Sequence, residues 1–186
     1  MKFLKRLVAV LIVLFGLFYF VGLPYLRKET KKHSPEKTSS YTLQGTQLKV
    51  HYSSPSKKGR PIFGGLVPFD QVWRTGANEP TTFTTSGAIK IIDKPLPAGT
   101  YSLWTIPNKE SWKVIFNKEV PDWGVSIFGG GTQTTRDAAE DLINVEVPSR
   151  EISQPVENFT IDFTNEDQLY LSLSWDQTRI NVPINK

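Results

Sequence analysis

Beyond residue 45, apolar side chains recur at every second position, which is the signature of a half-buried β-strand. Leu48, Val50 and Tyr52 share one face of residues 46–52, and Trp112, Val114 and Phe116 share one face of residues 112–117. Phe159, Ile161 and Phe163 alternate with Thr160 and Asp162; Leu169, Leu171, Leu173 and Trp175 alternate with Tyr170, Ser172 and Ser174. Ile180, Val182 and Ile184 close the chain. Strands with one apolar and one polar face suit antiparallel sheets that are wet on one side. Turn-forming clusters separate them: Ser53-Ser54-Pro55, Pro97-Ala98-Gly99, Pro107-Asn108-Lys109, Asn165-Glu166-Asp167 and Asp176-Gln177-Thr178. The last two predict tight hairpins, and with them a three-stranded meander over residues 156–184. Residues 135–142 predict one short helix. The expected fold class is all-β: an antiparallel β-sandwich with at most one short helix, preceded by an N-terminal transmembrane helix.

That leading segment has the opposite pattern. Residues 7–23, LVAVLIVLFGLFYFVGL, carry no charge, and the apolar stretch extends to Leu26. As a helix, about 20 residues span about 30 Å, the hydrocarbon thickness of a bilayer. Lys5 and Arg6 flank one end, while Tyr19 and Tyr25 lie toward the other, where aromatic rings favour the interface. The run exceeds the ~7–15 residues of a signal-peptide core, and no small-residue cleavage site follows it. The expectation is therefore an uncleaved anchor: residues 1–6 a cytoplasmic head, 7–26 the membrane span, 27–44 a flexible tether and 45–186 the domain. Secretion after signal cleavage is the alternative. The positive-inside rule barely discriminates between orientations here, so export of the domain rests on the very short basic head preceding a long C-terminal domain. Residues 27–40 contain no apolar side chain apart from Pro35, which is why they read as a solvated linker.

Charge follows the same division. Residues 1–40 hold eight Lys/Arg against two acids, and residues 41–186 hold fourteen against sixteen. The net charge of +4 thus belongs to the N-terminal segment, and the domain offers no basic stripe for nucleic acid. The absence of cysteine excludes disulfides, thiolate metal sites and cysteine nucleophiles, and two histidines cannot build a histidine cage. His51 shares a face with Lys49 and Ser53 and lacks a matched nucleophile. The Gly129-Gly130-Gly131-Thr132 run lacks the lysine of a phosphate loop and reads as a turn. No cofactor or metal is implied.

Residues 57–80, KKGRPIFGGLVPFDQVWRTGANEP, do not alternate. A connection this long packs as a unit or serves a site. It gathers Arg60, Trp73, Arg74, Asn78 and Glu79, which fit two roles. The arginines either grip an anionic or hydroxyl-rich ligand or brace the loop by pairing with Glu79 or Asp70. Trp73, Trp104 and Trp123 either stack on sugar rings or join Trp112 and Trp175 in the core.

The string Lys58-Gly59-Arg60-x-Ile62-Phe63-Gly64-x-Leu66-Val67-Pro68-Phe69, followed by Val72-Trp73-Arg74-Thr75-Gly76-Ala77-Asn78-Glu79, strongly resembles the domain of unknown function 2911 family. Leu96-x-Ala98-Gly99-Thr100-Tyr101-Ser102-Leu103, Trp112-x-Val114-Ile115-Phe116-Asn117-Lys118 and Trp175…Val182-Pro183-Ile184 extend the likeness over about residues 45–184. The resemblance implies a bacterial, often exported protein and no particular reaction.

The expected function is a membrane-anchored envelope module that binds through residues 57–80, with Arg60, Trp73, Arg74, Asn78 and Glu79 as binding residues. No catalytic or metal-ligating residue is assigned. The expected partners are a bilayer at residues 7–26 and a glycan, a small anion or an envelope protein at the loop. The alternatives are a carboxylate-dependent envelope hydrolase using Asp70, Glu79 or Glu157, and a purely structural accessory domain.

Overall fold

A computed structural model describes residues 2–126 and 133–186; the 129–132 turn expected from the glycine run lies outside the described residues. The chain divides into two compact units, Met1–His33 and Ser34–Lys186.

The first unit is one helix, Lys2–His33, long and apolar enough to cross a membrane, with none of its most apolar stretch buried. It runs as α1 (Lys2–Leu17), a π-helical turn (Phe18–Gly22) and α2 (Leu23–His33). Pro24 is tolerated because it lies in the first turn of α2, directly after the wider π turn. The flexible tether expected at 27–44 is corrected at both ends. Residues 27–33 complete the helix, because Arg, Lys and Glu are good helix formers and Glu29 pairs with Lys32 at 2.6 Å. Basic residues in the last turn also complement the helix dipole.

In the second unit, residues 36–43 form strand β1 (Glu36–Leu43) rather than linker. An edge strand can be ordered by its backbone ladder alone, so low hydropathy there is no sign of disorder. The remaining strands among the described residues are β2 (Thr46–Ser53), β3 (Thr81–Thr85), β4 (Ile89–Ile91), β5 (Lys94–Leu96), β6 (Gly99–Pro107), β7 (Ser111–Asn117), β8 (Asp141–Asn165) and β9 (Leu169–Asn185). The pairings between them are antiparallel, as the alternation requires. They join the strands in the order β1-β2-β3-β6-β7-β8-β9-β4-β5.

The long strands β8 and β9 carry the chain from one half of this sheet to the other. Their register breaks between Glu151 and Val156 and again between Val156 and Thr160, so the ladder bends there. The bend returns β8 toward the first strands: Ser39 Oγ donates to the Asp162 carboxylate, Ser54 Oγ donates to the Phe159 carbonyl at 2.7 Å, and Tyr41 packs on Phe163. The three-stranded meander expected over 156–184 is instead one hairpin, closed where Glu166 N–H donates to the Gln168 carbonyl at 3.1 Å. Asp176-Gln177-Thr178 lies inside β9, where Asp176 takes a left-handed φ of 52° at the bend. The helix expected over 135–142 shrinks to a single 3₁₀ turn, Ala138–Glu140, capped by the Asp137 side chain.

The period-two faces form the core. Leu48, Val50, Trp112, Val114, Phe116, Phe159, Ile161, Leu171, Leu173, Trp175, Ile180, Val182 and Ile184 are all buried in one cluster. Tyr52 belongs to it, edge-on to Phe159 at 5.9 Å, and burial pushes its phenol pKa above the usual 10.0. The unfolded chain ionises such a tyrosine first, so its contribution to stability is present below about pH 10 and declines as pH rises past it. Replacing Tyr52 by Phe is expected to make the alkaline loss of stability shallower, measured as denaturation midpoint against pH through the tyrosine range. A slope unchanged in Tyr52→Phe would assign the alkaline loss to other groups.

Candidate functional site

The connection from β2 to β3, residues 54–80, folds over one end of the core as a braced body. Residues 62–67 close a tight turn through Gly64 N to Val67 O at 2.8 Å and Val67 N to Ile62 O at 2.9 Å. Gly64 needs its φ of 81°, and a Cβ there would lie 2.6 Å from the Phe69 ring. Farther on, the chain runs beside the end of β6, with Trp73 and Thr105 exchanging backbone hydrogen bonds of 2.7 and 3.0 Å. Left-handed backbone at Lys58, Asp70, Thr75 and Asn78 gives the loop its sharp reversals. Asn and Asp adopt this conformation most readily; Lys and Thr are held in it by their surroundings.

The loop's aromatic residues belong to the core. Phe63 meets Trp112 at 4.7 Å between ring centroids, Trp73 meets Phe159 at 4.9 Å, and Trp73 stacks on Trp175 at 6.0 Å and 16°. Trp73 Nε1 donates to the Gly76 carbonyl at 3.1 Å. This residue therefore serves as a packing anchor, its ring committed to neighbouring rings instead of facing a sugar. Trp104 is fully buried, with Nε1 bonded to Ser102 Oγ at 2.7 Å.

The polar residues expected to act together have different surroundings. Arg60 is exposed and spends its donors on the loop itself, Nε to the Lys57 carbonyl at 3.0 Å and an Nη to the Ser56 carbonyl at 2.6 Å. Asp70 accepts from Asn108 Nδ2 at 2.7 Å, and Glu157 accepts from the Lys58 backbone at 2.9 Å. Arg74 and Asn78 instead lie against Gly124. A Cβ built there would collide with Arg74 Cδ and sit 3.0 Å from the Asn78 carbonyl, which accepts the Gly124 N–H. Glu79, next in sequence, is half-buried. Lys57–Asp176 and Arg136–Asp141 are ion pairs of the domain.

Sequence reasoning missed the cleft that this loop helps to build. Pro61, Phe63 and Phe69 form one wall, Asn108 and Trp112 of the β6–β7 hairpin a second, and the β9 bend at Asp176–Thr178 a third, enclosing about 320 Å³. The Asp176 carboxylate is held by Lys57 Nζ at 2.5 Å. The signal available in the sequence was Asp176-Gln177-Thr178, a polar triplet interrupting a long apolar alternation. It marks a bend within the strand, and the bend opens the third wall. A second hollow of about 300 Å³ lies on the outer face of β2 and β3, lined by Lys49, His51, Thr82 and Thr84. There His51 Nδ1 is 3.0 Å from Thr38 Oγ1, on the face that it shares with Lys49 by alternation.

No curated protein and no solved structure matches this chain. The family model described as protein of unknown function (DUF2911) matches residues 34–184, taking in β1 and the whole braced loop, and the chain belongs to that family.

Proposed function

We propose that the protein is a membrane-anchored binding module that takes a small, neutral, hydroxyl-rich ligand, of the saccharide class, in the cleft beside residues 57–80. The cleft carries this reading. Its volume of about 320 Å³ lies at the lower end of small-molecule sites. Phe63 and Phe69 offer apolar contact, and Asn108, Gln177 and Thr178 offer amide and hydroxyl partners. Three chain segments fix it, tied by Lys57–Asp176 and Asp70–Asn108, so little ordering cost accompanies binding. The charged residues of the lining are Asp176, which is paired with Lys57, and Lys109. That favours a neutral ligand over a cation, and the single lining carboxylate supports binding over glycoside hydrolysis, which in its usual form uses two carboxylates across a cleft.

Lys2–His33 anchors the module in the cytoplasmic membrane, with the domain on the outer side. Protease added to spheroplasts should then degrade residues 34–186; their survival while a periplasmic control is cut would place the domain inside.

The ligand test uses the full chain in detergent, titrated with glucose, galactose, N-acetylglucosamine and maltose. At least one sugar should give a saturable change in tryptophan fluorescence, since Trp112 lines the cleft. Phe69→Ala should weaken that binding by about tenfold, in keeping with loss of an aromatic contact, while Arg60→Ala leaves it unchanged. No saturable response to any of these sugars, or equal affinity in Phe69→Ala, contradicts the proposal.

A further inference from the structure

The second hollow, on the outer face of β2 and β3, has a chemistry unlike that of the cleft. Its volume of about 300 Å³ is lined by Lys49, His51, Thr82 and Thr84, all able to donate hydrogen bonds, with no carboxylate among them. The ladder itself brings the four together. Lys49 lies directly opposite Thr84 and His51 directly opposite Thr82, so two neighbouring cross-strand pairs share one face. Short threonines beside the longer Lys and His side chains leave the depression between them. The flanking strands continue the pattern: Thr38 and Ser40 of β1 lie opposite His51 and Lys49, and Thr100 of β6 lies opposite Thr84. Strands β2, β3 and β6 contain no acid, and the one acid of β1, Glu36, stands two residues beyond Thr38, opposite Ser53.

The donors are available to a solute. Lys49 is exposed and the other three are half-buried. Among the described residues, neither the Lys49 ammonium nor the Thr82 hydroxyl makes a hydrogen bond or ion pair within the protein. His51 Nδ1 is 3.0 Å from Thr38 Oγ1, which fixes the ring and leaves Nε2 for a ligand. Thr84 Oγ1 is 3.0 Å from Thr100 Oγ1, and when it accepts from Thr100 its own proton is free. A ligand that only accepts selects the protonation states of His51 in which Nε2 donates. A set of donors that includes an ammonium and lacks a counter-charge calls for an oxygen acceptor bearing negative charge. None of the donors is a planar guanidinium fork matched to a carboxylate. Four separate donors around one hollow suit the four oxygens of a tetrahedral ion instead.

We infer that Lys49, His51, Thr82 and Thr84 form a binding site for a tetrahedral oxyanion, a phosphate or sulfate group. The site shares no residue with the sugar cleft and does not rest on the reading of that cleft. A wet sheet face with no such role would respond to ionic strength and not to the identity of the anion.

The test follows the imidazole C–H signals of the two histidines by NMR, in the full chain in nonionic detergent. Sodium sulfate, sodium phosphate or glycerol 3-phosphate is titrated at constant pH against sodium chloride at matched ionic strength. His33, in the helix, is the internal control, and His33→Gln assigns the signals. The His51 signals should move saturably with sulfate or phosphate, while those of His33 do not. Tighter binding of glycerol 3-phosphate than of phosphate identifies a group carried on a larger molecule; otherwise the ligand is the free ion. Lys49→Met should raise the Kd at least about tenfold, as expected for loss of a charged hydrogen bond, and Thr82→Val about fivefold. Both should keep the β signature in circular dichroism and an unchanged fluorescence response to sugar. The inference is overturned if His51 responds to neither anion beyond chloride, or if His33 moves in parallel with it. It is equally overturned if folded Lys49→Met or Thr82→Val keeps wild-type affinity, or if sodium acetate binds as tightly as the tetrahedral anions.

Discussion

Deleting residues 2–33 is expected to move the protein completely from the carbonate-washed membrane pellet to the soluble fraction while leaving the domain folded. The helix they form exposes Phe3, Leu4, Leu11, Ile12, Phe15, Phe20 and Leu26. An apolar surface on every face is incompatible with a dissolved monomer. Each centrally placed Leu, Ile, Phe or Val favours insertion by about 0.3–0.6 kcal/mol, and roughly a dozen such contributions make the partition effectively irreversible. The domain needs none of this helix for its core, because the buried cluster is drawn from residues of the second unit. Circular dichroism of residues 34–186 should retain its β signature and a cooperative melt. If the full chain is recovered soluble with its first ~20–30 residues missing by mass spectrometry, the segment is a cleaved signal and the anchor reading is wrong.

The second large effect concerns a loop residue. Trp73→Ala is expected to destabilise the domain by about 3–5 kcal/mol, the same range as a core strand tryptophan such as Trp175. The two rings stack at 6.0 Å, and Trp73 also contacts Phe159 and Trp112. Removing the indole leaves a cavity at the junction of loop and sheet and deprives the Gly76 carbonyl of its donor. Against a typical total of about 5–15 kcal/mol this is a large share. The expected result in guanidinium titration is a lower midpoint with an unchanged slope. A loss below about 1 kcal/mol, close to the range for surface substitutions, would show that the 54–80 segment lies on the core without belonging to it.

The strands and their inward faces were legible because alternation depends on local geometry. Leu48, Val114, Phe159 and Val182 each face inward as their spacing requires, and Ile180 and Ile184 flank Val182 on the same buried face. Strand ends and edges were less legible. Glu36–Leu43 reads as linker by composition, yet it pairs along its full length with β2. Backbone hydrogen bonds carry no compositional mark, and an edge strand has little apolar surface to betray it. Asp176-Gln177-Thr178 has turn chemistry and does produce a left-handed residue, but the ladder continues through it. Whether a polar triplet reverses a strand or only bends it depends on the partner strand, here the irregular stretch of β8 near Val156.

For the site, the 57–80 segment stood out in the sequence, but its polar residues do not stay together. Arg60, Arg74, Asn78 and Glu79 share a loop whose reversals at Lys58, Asp70 and Thr75 send them to different neighbours. Arg60 braces carbonyls, while Arg74 and Asn78 lie on Gly124. Phe69, Asn108 and Thr178 come from distant parts of the chain, so no local pattern could join them into one cleft.

The proposed function depends on that cleft. Amide chemical shifts of isotope-labelled residues 34–186, followed during titration with the sugar that gives the strongest fluorescence response, test it most directly. Shifts concentrated at Phe63, Phe69, Asn108, Gln177 and Thr178, saturating together with one Kd, are the expected result. Shifts confined to the outer hollow at Lys49, His51, Thr82 and Thr84, or no saturable shift anywhere, would contradict it.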